Sequence, residues 1–301
     1  MRPDGTVSAV LRPAGRAVSA LSALSALAIE IGWVSAHAAI YPLGLLRDRG
    51  DDPDPARFRF GDLPLAQRGL IGADVEAATT PIVLIHGIVD NRTIFAMMRR
   101  GLRRRGFGCI RSFSYGPHTN DLRAAAERFG EFVDDLAEET GSDRIHVIGH
   151  SLGGLIARYY VQRLGGDRLV PTLVTLGTPH QGTLAARLLP NRLVRQLRPG
   201  SDVIEELAEP VSCTTRILAF YSDVDQLIVP ARNAQVEHPD LTAVNVLVKG
   251  VGHNSLPING RIVHETCAWL AVSAGVTSDA LSTAGADSVI APESGRPQTS
   301  A

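Results

Sequence analysis

The chain has 301 residues, 45% of them hydrophobic, enough to bury a large core and, with the apparent tails set aside, suited to one domain of roughly 200 to 250 residues. Thirty Lys and Arg against 31 Asp and Glu leave a formal net charge of −1, which argues against nucleic acid or a strongly charged partner. Cys109, Cys213 and Cys267 are far apart and without C-x-x-C spacing, so neither a zinc site nor a disulfide framework is expected.

The first segment, residues 1–46, is apolar. Arg2, Arg12 and Arg16 precede an uncharged run over 17–29, and apolar character resumes after Glu30 and continues to Leu46. Three readings stand side by side. A signal peptide would use Ala36-His37-Ala38 as its cleavage site, a membrane span would be weakly hydrophobic with Glu30 costly at depth, and a helix with Leu21, Leu24, Leu27 or Ala28, Ile31 and Val34 on one stripe would lie on a membrane surface or pack against the folded domain. Membrane association through this N-terminal helix is the favoured expectation, with location at the membrane or cell envelope; secretion and a cytoplasmic location are the alternatives. Residues 47–64, centred on Asp51-Asp52-Pro53-Asp54-Pro55, read as a linker, because proline and clustered carboxylates disfavour helix.

The folded domain is expected over 65–272. Residues 81–85 make a fully apolar run of strand length, suited to a parallel sheet covered on both faces, with His86-Gly87-Ile88 at its end. A helix is expected over 93–105, a strand over 108–113, and a long helix over 121–139, where Leu122, Ala125, Phe129, Phe132, Val133 and Leu136 recur at helical spacing. A β-branched strand follows at 144–148, then a helix over 155–164 and another apolar strand over 169–176. After an interruption over 183–212, strands at 216–221 and 243–248 and a helix at 261–272 close the domain. Residues 273–301, rich in Ser, Thr, Ala, Gly and Pro, read as a disordered tail. Strand and helix in alternation predict the α/β class, a doubly wound, mostly parallel sheet, in which sites gather at the carboxyl ends of the strands.

Between the strand at 144–148 and the helix after it stand Gly149-His150-Ser151-Leu152-Gly153-Gly154. A serine at the apex of a sharp strand-to-helix turn, between glycines that lack a Cβ, reads as a nucleophile elbow; an ordinary serine in a glycine-rich turn is the alternative. Serine attack on a carbonyl needs a base, an orienting acid and donors for the developing oxyanion. Asp223 and Asp225 both follow the strand at 216–221, and Asp225 is preferred, which leaves Asp223 as a solvated or capping carboxylate. His253, in the glycine-bearing loop after the last strand, completes the order serine, acid, histidine and is the expected base. The other histidines have worse addresses: His264 within a helix, His238 in a polar loop, His150 beside the nucleophile, and His180 ahead of the acid in sequence. The backbone N–H groups of Leu152 and Ile88 are the expected oxyanion donors, with His86 as a buried organiser of its loop. This chemistry needs no metal or organic cofactor.

The ordered motifs Ile85-His86-Gly87-Ile88, Gly149 to Gly154, Leu176-Gly177-Thr178-Pro179-His180-Gln181-Gly182-Thr183, Tyr221-Ser222-Asp223-Val224-Asp225 and Gly250-Val251-Gly252-His253 resemble those of bacterial triacylglycerol lipases and esterases of the α/β-hydrolase superfamily. The resemblance runs from about residue 81 to 272 and implies the α/β-hydrolase fold, with Asp225 as triad acid and His253 as triad histidine. It also implies that 183–212 is a helical cap or lid, either opening on a lipid surface or packing as a static insertion. The activity expected is hydrolysis of carboxylic esters, lipid acyl esters foremost, through an acyl-enzyme. A thioesterase or glycolipid deacylase on the same triad is one alternative, and a catalytically silent binding or scaffold protein on this fold is another.

Overall fold

The computed structural model describes residues 79–273 apart from 89, 117, 118 and 189. The expected N-terminal helix, the linker, the tail and the first residues of the domain lie outside the described residues.

Strand β1, Ile82–Ile85, is buried along its whole length. Its side chains divide between two cores as the period of two demands, Val83 and Ile85 on one face and Ile82 and Leu84 on the other. The expected helix over 93–105 is resolved into two parts. Asn91 accepts a hydrogen bond from the Thr93 amide at 3.0 Å and caps a 3-10 turn, Arg92–Phe95, which tightens the entry to α1, Ala96–Arg104. Strand β2 spans Ile110–Phe113, and α2, Leu122–Thr140, starts from an Asp121 cap and stops at Gly141, whose φ of 65° glycine adopts without strain.

Strand β3, His146–His150, leads through Ser151 directly into α3, Leu152–Arg163. That helix begins three residues earlier than its composition suggested, because Gly153 and Gly154 are already helical. Strand β4, Thr172–Leu176, follows, then the insertion, β5 at Arg216–Tyr221, β6 at Thr242–Leu247 and α6 at Gly260–Ser273. The six strands run in the order β2-β1-β3-β4-β5-β6 and every pairing is parallel. This is the doubly wound sheet expected. Helices α2 and α3 cover one face and α1 and α6 the other, each large aliphatic side chain so buried contributing about 1.5–3 kcal/mol.

The insertion holds a 3-10 turn at Leu184–Arg187 and two short helices, α4 at Arg192–Arg195 and α5 at Asp202–Glu206. Its apolar residues, Leu193, Val194, Leu197, Val203, Ile204 and Leu207, join the core over α2 and α3. Its second half is tied down by polar contacts as well. Arg123 bonds Asp202 at 2.9 Å and also Glu206, Tyr159 donates to Glu206 at 2.8 Å, and the buried Arg158 donates to the Leu207 carbonyl at 2.9 Å. Among the described residues no helix is long and apolar enough to cross a membrane.

Candidate active site

Ser151 is the one described residue other than glycine with a positive φ, 52° with ψ −123°. Such a conformation costs on the order of 1–3 kcal/mol and persists only where the surroundings over-determine it. They do so here. The Ser151 amide donates to the Leu176 carbonyl of β4 at 2.9 Å, and both neighbouring glycines are in contact that tolerates no side chain. A Cβ on Gly149 would stand 2.4 Å from Gly154 Cα, and one on Gly153 would stand 2.3 Å from the Ile85 carbonyl oxygen. The glycines are therefore a matter of space, and the strain falls on the serine.

The pairing of Ile85 with Gly149 and the contact of Gly153 with β1 bring the His86-Gly87-Ile88 loop alongside Ser151: a Cβ on Gly87 would lie 3.1 Å from Ser151 Cβ. His86 is buried, its Nδ1–H donating to the Gly87 carbonyl at 2.9 Å, and its ring stacks on Tyr115 at 4.7 Å. Tyr115 donates its hydroxyl to the same carbonyl. Burial holds the His86 pKa below the ordinary histidine value. Tyr115 also lines a cavity of about 420 Å³ with Gly116, Thr119, Asn120, Asp121 and Arg128, on the carboxyl side of β2. Leu152 is wholly buried at the first turn of α3, whose N-terminus concentrates unpaired N–H groups and the positive end of the helix dipole.

His253 and Asp225 meet at 2.8 Å, Nδ1 to Oδ2, with side chains 2% and 1% exposed. The imidazole donates from Nδ1, so its Nε2 carries the lone pair. The other carboxylate oxygen of Asp225 accepts from the Leu227 and Ile228 amides, each at 2.9 Å, which fixes the group from behind. Gly177, with φ 55°, borders the pair: a Cβ there would lie 3.1 Å from both Asp225 Oδ2 and His253 Nδ1. Since Gly177 follows the residue whose carbonyl holds the Ser151 amide, the acid–histidine pair and the elbow share one wall. Asp223 points elsewhere and accepts from the Gly250 amide at 2.8 Å, pinning the acid loop to the histidine loop.

Three of the remaining histidines, His180, His264 and His238, are committed to other partners. His180 is buried against Thr175 Oγ1 at 3.0 Å, and its carbonyl accepts from Arg158 at 3.0 Å; burial, with the nearby guanidinium, depresses its pKa well below the ordinary value. His264 contacts Arg105 at 3.0 Å and His238 the Glu209 carbonyl at 3.0 Å, both at the surface. His150 had no assigned place in the sequence reading. Its ring packs 4.8 Å from that of His253, a proximity that no spacing in the chain announces. Among the described residues, no group of three or more His, Cys, Asp or Glu side chains is arranged to hold a metal ion.

Residues 80–200 match the family described as the alpha/beta hydrolase fold. The chain is 28% identical over 126 residues to a triacylglycerol lipase of Burkholderia plantarii, covering 39% of this chain and 35% of that protein. It is 31% identical over 133 residues to a triacylglycerol lipase of Vibrio cholerae, covering 42% of this chain and 40% of that protein. The matched stretch thus spans well under half the length of these relatives. Among solved structures it is similar to a Bacillus licheniformis lipase in its mature form, with a TM-score of 0.53 and 17% identity over 64% of this chain and 92% of that one.

Proposed function

Because the chain is an α/β-hydrolase-fold protein similar to bacterial triacylglycerol lipases, we propose that it hydrolyses carboxylic esters, lipid acyl esters foremost, with Ser151 as nucleophile, His253 as base and Asp225 as its orienting acid. The observation that carries this reading is the buried 2.8 Å contact between His253 and Asp225, beside a serine held at φ 52°.

The chemistry runs in two halves. His253 Nε2 takes the hydroxyl proton as Ser151 Oγ bonds to the ester carbonyl carbon, and the carbonyl oxygen becomes an oxyanion. The N–H groups of Leu152 and Ile88 receive that charge, assisted by the N-terminus of α3. As the carbon–oxygen bond to the alcohol breaks, the proton passes from His253 to the departing alcohol and leaves an acyl-serine. Water then repeats the sequence, giving its proton to His253 and its oxygen to the acyl carbon, and Ser151 recovers its proton. Asp225 keeps the Nδ1–H of His253 in place throughout and stabilises the transient imidazolium.

The test is hydrolysis of p-nitrophenyl esters of graded acyl length by wild type and Ser151→Ala, with and without detergent micelles. Activity that rises with chain length at micelles and is abolished in the variant supports a lipase. Activity confined to short soluble esters makes the protein an esterase. A wild type as inert as Ser151→Ala on every ester and thioester tried refutes the reading.

A further inference from the structure

A second acid–histidine pair stands behind the first. Asp90, in the loop after β1, accepts from the Asn91 amide with Oδ1 at 2.7 Å, while its Oδ2 lies 3.8 Å from His150 Nδ1. The two side chains are 7% and 1% exposed. The other ring nitrogen, His150 Nε2, lies 3.2 Å from the main-chain carbonyl of His253, and the two imidazole rings are 4.8 Å apart.

These contacts determine where the His150 protons sit. A carbonyl oxygen only accepts, so Nε2 carries a proton. A neutral ring would then direct its Nδ1 lone pair at a carboxylate in a site closed to water. Protonation at Nδ1 removes that conflict and makes the contact an ion pair. Among the described residues, the titratable groups placed against His150 include Asp90, from the loop after β1, and His253, from the loop after β6, itself bonded to Asp225.

We propose that the Asp90–His150 ion pair positions His253 for catalysis: His150 grips the His253 main chain, and Asp90 holds His150 charged and oriented. The inference rests on the serine-hydrolase reading above. His253 opens the turn His253–Ile258, and its amide lies 3.5 Å from Gln226 Oε1, so the carbonyl contact with His150 adds to the holds on this residue.

The experiment uses the full chain, p-nitrophenyl butyrate turnover across pH, and the rate of inactivation by a fluorophosphonate, with Ser151→Ala as reference and melting temperatures for every variant. In His150→Leu, kcat and the inactivation rate fall about 10- to 100-fold while KM stays within about threefold, as a small misplacement of a reacting group predicts. In His150→Gln, whose amide N–H can still reach the carbonyl, about tenfold or more of that loss returns. Asp90→Asn lowers kcat and moves the acid limb of kcat/KM to higher pH, because an uncharged His150 no longer opposes protonation of His253. If His150→Leu does not fold, the acid limb of Asp90→Asn decides. Full activity in a folded His150→Leu, or an unmoved acid limb in Asp90→Asn, overturns the proposal and leaves the serine-hydrolase reading standing. A wild type that behaves like Ser151→Ala removes that reading itself.

Discussion

A Cβ on Gly154 would stand 2.0 Å from Thr178 Oγ1, so the first turn of α3 rests directly on the loop that follows β4. The contact is with a side chain, which distinguishes it from the contact of Gly153 with the Ile85 carbonyl. Gly153→Ala meets backbone that cannot give way, and it is expected to cost about 1–3 kcal/mol or more in stability together with most esterase activity. Gly154→Ala is expected to be damaging too, but relieved in part by a companion Thr178→Ala. A double-mutant cycle on denaturation midpoints measures this, and strictly additive effects would sink the idea.

Asp225 and Asp223 separate under substitution. In Asp225→Asn the amide oxygen is drawn to the Leu227 and Ile228 N–H groups, which turns the amide NH2 toward His253 Nδ1. His253 then has to carry its proton on Nε2, where it cannot act as a base, and kcat is expected to fall about 10⁴-fold with little change in melting temperature. Asp223→Asn retains an acceptor for the Gly250 amide and should keep kcat within about threefold. Steady-state kinetics on one soluble ester compares the two.

Acid weakens the fold through its buried histidines. His146 is buried with neither ring nitrogen bonded, and its pKa drops from 6.5 to about 4, mainly by desolvation with a smaller contribution from Arg144; His86 and His180 shift in the same direction. The unfolded chain therefore binds protons first. The stability these groups carry is complete above pH 6.5 and is lost as pH falls from there through 4, on the order of 3 kcal/mol for His146. Urea midpoints between pH 7.5 and 4.5 give the slope, and His146→Leu should flatten it and hold or raise stability at neutral pH. A variant with the wild-type slope would contradict this.

Arg158 is a buried cation held by main-chain carbonyls and an amide, with the His180 ring nitrogen Nδ1 also 3.4 Å away. Its guanidinium donates to the His180 carbonyl, the Leu207 carbonyl and Gln162 Oε1 at 2.9–3.0 Å, and burial brings its pKa down to about 10. Arg158→Met is expected to cost about 2–4 kcal/mol and to open new proteolytic cuts within 201–207, detected by mass spectrometry of limited digests. Arg158→Lys should not restore the wild-type pattern, because one ammonium cannot span three directions that a planar fork reaches together.

What the sequence disclosed and what it hid follow one physical division. Strand and helix leave periodic marks, so the alternating elements were legible to within a few residues, and the glycines around Ser151 mark close approach wherever they fall. Order along the chain also pointed to Asp225 and His253, whose carboxylate and ring then meet at 2.8 Å. The packing of 183–212 was not decidable from its mix of leucine and arginine, because either a mobile or a static insertion needs one apolar face. Asp90 and His150 left no mark either. Their contact depends on how the loops after β1 and β6 fold back over β3, and a lone aspartate beside Asn91 reads as ordinary loop chemistry.

The backbone of Ser151 keeps its unfavoured conformation only while β1, β3, β4 and α3 are all assembled around it. In an unfolded or half-formed chain that residue is one hydroxyl among many, with no base nearby and no reason to react. On the nucleophile role proposed for Ser151, a fluorescent serine-directed label doubles as a census of intact molecules: the labelled fraction of a preparation reports how much of it is native, without any knowledge of its natural substrate.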